Sequence, residues 1–232
     1  MFGTIEALLL GLAVFVGGHF ALASPPLRDP AVRAVGEERF RGLYALLALA
    51  SLIWTVLAFR DAPFVAVWSP PLWTRWIPNL LVPLATVLLV AGITTRNPTA
   101  VGGESALDEP NAVRGVLTIT RHPFLNGVGL WAVAHLAANG DLASMLLFGA
   151  MALLAYAGMP ALDAKVRRRV EAAWGPFGMT TSRTPFLAAL QGRVTVDWRG
   201  LGLWRVALGL LLWVALYGLH PMYAGVWPHP LS

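Results

Sequence analysis

Six apolar runs, each near the length that crosses a bilayer, dominate this sequence: residues 2–23, 43–59, 77–94, 123–138, 142–159 and 201–219. A spanning helix needs about 17–25 residues, and the fourth run is on the short side. Inside hydrocarbon every backbone N–H and C=O must be paired within the spanning structure, so runs this long are read as helices. The expected fold class is all-α, a polytopic membrane bundle of about six transmembrane helices in one domain, residues 1–232.

Composition agrees with that reading. Hydrophobic residues make up 57% of the chain and charged residues 12%, about half the charged share of a soluble domain. Mean hydropathy is +0.64. Several of the ten tryptophans stand near loop boundaries, as in an interfacial aromatic belt. The formal charge of +5 is spread between the apolar runs, where it sets topology beside anionic headgroups. It forms no contiguous basic face, so no nucleic-acid partner is expected and the bilayer is the expected surroundings. The chain has no cysteine, which removes disulfides, thiolate nucleophiles and iron–sulfur clusters.

The first run ends in Ala21-Leu22-Ala23, a small-x-small pattern that resembles a signal-peptide cleavage site. The start carries Glu6 and no Lys or Arg, whereas a signal peptide needs a positive n-region, so the run is read as a retained helix. Ser24-Pro25-Pro26 ends it, and residues 27–42 are expected as a loop. The Pro- and Trp-rich link with Pro63, Trp68, Pro70, Pro71, Trp73 and Trp76 suits the headgroup level. Pro83 predicts a kink in the third run, and Pro123 suits a first helical turn. Only Asn139-Gly140-Asp141 separates runs four and five, which predicts a tight antiparallel hairpin.

Lys and Arg fall unevenly among the loops. Arg28, Arg33, Arg39 and Arg41 follow run one; Arg96, Arg114 and Arg121 follow run three. Lys165, Arg167, Arg168, Arg169, Arg183, Arg193 and Arg199 follow run five. The other loops hold only Arg60 and Arg75. The positive-inside bias puts the basic loops in the cytoplasm of a bacterial inner membrane and both termini on the periplasmic side.

His19, His122, His135 and His220 lie in or at the edges of apolar runs, while His229 stands near the end between two prolines. Ionisable groups at membrane depth are costly and are functional candidates by default. The plainer reading is a neutral imidazole hydrogen-bonded between helices. Several imidazoles projecting inward from different helices also make metal and haem sites in bundles. Arg114 and Arg121 precede run four, where they either snorkel to headgroups or clamp an entering anion such as a haem propionate.

Gly18-His19-Phe20-Ala21-Leu22-Ala23-Ser24, Leu27-Arg28 and the run from Glu37 through Leu43 resemble the NnrU family of bacterial membrane proteins associated with nitrogen-oxide respiration. The resemblance continues through Thr118-Ile119-Thr120-Arg121-His122-Pro123, Trp131-Ala132-Val133-Ala134-His135, Ala138-Asn139-Gly140-Asp141 and His220-Pro221. That family is similar to the zeta-carotene isomerases, membrane haem b enzymes that convert a cis double bond to trans. The resemblance implies haem b with His19 and His135 as its axial metal ligands, and Arg114, Arg121 and His122 at the cofactor's cytoplasmic mouth. The isomerases carry a cysteine three residues before the second histidine, and here that position is Ala132.

Counted along the helices, His19 and His135 differ in depth by roughly 10 Å. His122 therefore stays open as a partner for His19, and His220 for His135. The implied role is support of nitrite and nitric oxide metabolism or denitrification, beside a nitrogen-oxide reductase or electron donor. The alternative is a haem-dependent cis–trans carotenoid isomerase. A local resemblance to isoprenylcysteine carboxyl methyltransferase-type enzymes rests on Arg121-His122-Pro123, Glu171, Phe177-Gly178 and Pro185, and implies S-adenosylmethionine.

Overall fold

A computed structural model of the protein describes residues 3–100 and 102–231. The long helices are α1 (Ile5–Ala23), α3 (Glu37–Asp61), α4 (Trp76–Thr94), α5 (Pro123–Ala138), α6 (Leu142–Val170) and α8 (Leu203–Ala224). The shorter α2 (Pro25–Val35) and α7 (Trp174–Thr180) lie between them. Five of the long helices are long and apolar enough to cross a membrane, and α5 is a shorter apolar helix beside them. The chain is an all-helical, multi-pass membrane protein.

Successive long helices run up and down. The chain enters at one end of α1, and α3, α5 and α8 return to that end. The opposite end carries most of the Arg side chains and is called here the basic end. α4 packs against both α5 and α8, α5 against α6, and α1 against α3 and α6. Close approach comes from missing side chains, as membrane helix packing favours. A Cβ on Gly92 would stand 2.6 Å from the Phe124 backbone nitrogen, and one on Gly127 2.8 Å from the Ala85 carbonyl oxygen. Between α1, α3, α5 and α6 the core is Leu8, Leu12, Phe15, Val16, Ala58, Ala132 and Met151.

Several expected boundaries move, each for a physical reason. The expected start at Phe2 lies outside the described residues; α1 begins at Ile5, after Thr4 caps the Ala7 N–H at 3.1 Å. The expected loop over 27–42 is mostly helix: Pro25 and Pro26 occupy the first turn of α2, and α3 begins at Glu37. There Arg28 reaches both Glu37 oxygens at 2.5 Å, tying α2 to α3. α5 has the expected bounds, with Pro123 in its first turn. α6 continues past Met159 through Pro160 to Val170, since Ala, Lys and Arg are good helix formers once the apolar run is over. α8 likewise continues through His220 and Pro221 to Ala224.

The hairpin after α5 is tight as expected. Asp141 accepts from the Ser144 N–H at 2.9 Å, and Ala66 of the Trp-rich link pairs with Asp141 as an isolated antiparallel bridge. Pro83 lies inside α4, where the nearby Thr86 hydroxyl donates to the Val82 and Pro83 carbonyls at 3.1 and 2.9 Å. At the basic end Asp197 accepts from the Gly115 N–H at 2.9 Å and the Gly200 N–H at 2.8 Å. That staple holds the segment leading to α8 against the segment leading to α5.

Candidate functional site

At the basic end, α5 and α6 bring an arginine, a histidine and an aspartate into one buried cluster. Arg121 and His122 come from the turn that starts α5, and Asp163 from α6, one helical turn beyond Met159. Arg121 Nε donates to Asp163 Oδ1 at 3.0 Å and its Nη2 to Oδ2 at 2.7 Å. Its Nη1 donates to the Thr181 carbonyl at 3.1 Å, so each of its three nitrogens is bonded. His122 Nε2 lies 2.7 Å from Asp163 Oδ1 and donates to it, Asp163 being an acceptor when ionised. Arg121 is 8% exposed and His122 2%, and charges this enclosed persist only when paired.

Burial pushes the His122 pKa below the ordinary imidazole value, against the opposing pull of Asp163. The imidazole is thus neutral at pH 7, with its proton on the nitrogen that faces the carboxylate. Backbone bonds lock the loop around it. The Arg121 N–H donates to the Ser182 carbonyl at 2.9 Å, and the Phe186 N–H to the Ile119 carbonyl at 2.8 Å. Asn126 donates to the Arg183 carbonyl at 2.9 Å and to the Thr120 hydroxyl at 3.0 Å. Phe186 takes a positive φ of 63° at the turn that closes this loop.

A cleft of about 670 Å³ opens beside the cluster. Leu88 of α4, Leu130 of α5 and Tyr156 and Met159 of α6 wall it on the membrane side, and Arg121, Arg183 and Arg193 stand at its polar end. Gly129 makes room for the Tyr156 ring: a Cβ there would stand 2.6 Å from the ring carbon bearing the hydroxyl. The volume falls within the range of small-molecule sites, which are mostly apolar with a few placed polar groups. Chemically, the arrangement can seat an apolar chain, face an anion and hold a proton between His122 and Asp163.

Of the expected mouth residues, Arg121 and His122 meet and Arg114 does not join them. Arg114 pairs with Glu109 at 3.1 Å and its side chain is 48% exposed. Asp163 was missed by the sequence reasoning, which took the stretch around it for a basic topology signal. The available signal was a lone acid following an apolar run, one turn after its last methionine. Glu171, the acid of the methyltransferase-type resemblance, is exposed at the end of α6. Gly178 and Pro185 do line the cleft.

His19 and His135 are each held in one tautomer by donating Nδ1–H to a carbonyl of their own helix. His19 Nδ1 lies 2.6 Å from the Phe15 carbonyl oxygen and His135 Nδ1 2.9 Å from the Trp131 carbonyl oxygen. Donation from Nδ1 leaves Nε2 as the ligating nitrogen, as metal-bound histidines require. As a pair on one iron they do not fit this arrangement. His135 stacks on Phe148 at 4.9 Å, and Phe148 meets Phe59 at 6.2 Å. Gly3 abuts Asp61 and Gly11 abuts Trp54 and Thr55, which sets Phe59 opposite the first turn of α1.

His19 lies about twelve residues further on, or ~18 Å along the helix axis. There it meets Tyr44 at 5.5 Å, and the space beside it is about 10 Å³, room for a water at most. His220 lies near the far end of α8, the end of the bundle that His135 also approaches, and its Nδ1 lies 2.8 Å from the Val226 carbonyl oxygen. The depth gap thus exceeds the one read from the sequence, because α5 starts at His122's level and carries His135 almost to the far end.

The NnrU protein family model matches residues 7–228, nearly the whole chain. The chain belongs to the NnrU family. Its Arg-His-Pro turn, cleft and two histidine levels are thus features of an NnrU member. The chain is also similar to the chloroplastic 15-cis-zeta-carotene isomerase of Arabidopsis thaliana, at 26% identity over 197 residues. That match covers 81% of this chain and 51% of the relative, so the NnrU chain spans about half the length of that isomerase. No solved structure matches.

Proposed function

We propose that this NnrU-family chain is a membrane-embedded enzyme that changes double-bond geometry in a long polyene lipid held in the cleft beside Arg121. The observation that carries the reading is the cleft itself, apolar along Leu88, Leu130 and Met159 and polar at Arg121, Arg183 and Arg193, with the His122–Asp163 pair behind Arg121. The named activity of the chloroplastic relative supports the reaction class. Leu88, Leu130 and Met159 would line the chain of the substrate, and the buried cluster would fix the cleft's polar end. The test is chromatography of polyenes extracted from a host rich in 15-cis forms, with and without the protein. A raised trans share, lost in Leu130→Trp, supports the reading; an unchanged ratio at full protein level overturns it.

A second reading keeps haem b and a role in nitrogen-oxide metabolism, with a reductase or electron donor as partner. It is favoured by His135, whose Nδ1 is tied to a backbone carbonyl so that Nε2 is the nitrogen left to ligate iron. Since those two do not fit one iron, His135 with His220 is the pairing left for it, and no step of the isomerisation is routed through haem. Oxidised and dithionite-reduced spectra of protein from haem-supplemented cells test it. Soret and sharp α bands that vanish in His135→Ala and survive in His19→Ala support this pairing; a featureless spectrum ends it. Methyl transfer requires S-adenosylmethionine in the same cleft, and calorimetric titration without saturable heat removes it.

A further inference from the structure

The charge at the mouth of the cleft narrows what its ligand is. Three guanidinium groups, those of Arg121, Arg183 and Arg193, line the polar end, and among the described residues lining the cleft none is acidic. Asp163, directly behind, is the carboxylate that answers them, and Arg121 uses both of its oxygens. Arg183 reaches Asp163 only at 3.4 Å and its side chain is 48% exposed. Arg193 donates to the neutral Gln191 side chain at 2.7 and 2.9 Å, to the Thr181 carbonyl at 3.0 Å and to the Met179 carbonyl. One carboxylate against three guanidinium groups leaves an excess of two positive charges where the cleft meets water. The opposite wall is Leu88, Leu130 and Met159.

We infer that the cleft takes a membrane lipid with an anionic phosphate head, its head on Arg183 and Arg193 and its chain along Leu88, Leu130, Tyr156 and Met159. The inference rests on the cleft being the lipid site proposed above, and it gives the lipid held there an anionic phosphate head. The exposed Arg183 fork can match phosphate oxygens two at a time, and such charge-assisted bonds are about twice as strong as neutral ones; Arg193, whose fork is held by Gln191, Thr181 and Met179, adds its charge beside it. A zwitterionic head brings its own cation to the same place and loses that advantage.

Native mass spectrometry of the detergent-purified full chain tests this with phosphatidic acid, phosphatidylcholine of the same acyl chains, and inorganic phosphate as probes. The expected result is one retained phosphatidic acid per chain, preferred over phosphatidylcholine by about tenfold or more. Inorganic phosphate leaves it in place. Arg183→Gln with Arg193→Gln abolishes the preference, whereas Arg183→Lys with Arg193→Lys, which keeps the charge, retains most of it. Equal retention of the two lipids by the wild-type chain, or an unchanged preference in the glutamine variant, overturns the inference. Displacement by inorganic phosphate overturns it too, by making the site one for the free anion. Leu130→Trp separates the two levels of the argument. If it expels phosphatidylcholine and phosphatidic acid alike while no preference exists, the cleft still holds lipid and only the anion assignment fails. If it expels neither, the cleft is not the lipid site at all.

Discussion

Asp163 holds Arg121 through both carboxylate oxygens, at 3.0 and 2.7 Å, and shares the first of them with His122 at 2.7 Å. One side chain on α6 therefore fixes the two residues that open α5, and with them the polar end of the cleft.

Removing that side chain leaves a buried guanidinium without its counter-charge. Arg121 and Asp163 side chains are only 10% and 13% exposed, and breaking an ion pair this enclosed typically costs about 3–5 kcal/mol. Asp163→Asn should lower the melting temperature of the detergent-solubilised protein markedly. Arg121→Lys keeps the charge but loses the fork, and should fall between the wild type and Asp163→Asn. Equal melting temperatures for Asp163→Asn and wild type, measured by tryptophan fluorescence, would show that the cluster does not hold the helices together.

The same cluster sets a pH dependence. Burial depresses the folded-state pKa of His122 below 6.5, so the folded chain binds this proton less readily than the unfolded one. The stability it contributes is fully present above about pH 6.5. It is lost as pH falls through the folded pKa. Melting temperature should drop between pH 7.5 and 5, and His122→Gln, whose amide still donates to Asp163, should flatten that slope. A slope equal in the variant and the wild type would move its origin elsewhere.

Helix packing gives a prediction with its own control. A Cβ on Gly92 meets the backbone of Phe124 at 2.6 Å, where nothing flexible can yield, while one on Gly149 has nothing within 4 Å. Gly92→Ala should separate α4 from α5 and destabilise by about 1–3 kcal/mol. Gly149→Ala should be neutral or up to about 1 kcal/mol stabilising through helix propensity. Thermal melts of the two variants side by side decide it.

The sequence carried the fold well where apolar length and strong punctuation coincide. α5 begins and ends as expected because Pro123 pre-sets its first turn and Asn139-Gly140-Asp141 breaks it. It carried α6 poorly: hydropathy drops at Pro160, but the helix is sustained to Val170 by residues that favour helix without favouring lipid. The site was legible in part for a related reason. Arg121 and His122 stand out beside Pro123, whereas Asp163 lies between Leu162 and Ala164 and its meaning depends on which helix α6 packs against. The His19–His135 pairing was what the resemblance of two separate motifs implied. A motif match by itself carries no depth, and the antiparallel run of α1 and α5 sets the two histidines near opposite ends.

The most direct test of the central claim is the cis-to-trans ratio of membrane polyenes in cells making the wild-type chain, Leu130→Trp, or neither. Protein levels are matched by immunoblot. Use of the cleft predicts a higher trans share with the wild type alone, and the host's own ratio with Leu130→Trp. The same ratio in all three, or a raised trans share that survives filling of the cleft, would contradict it.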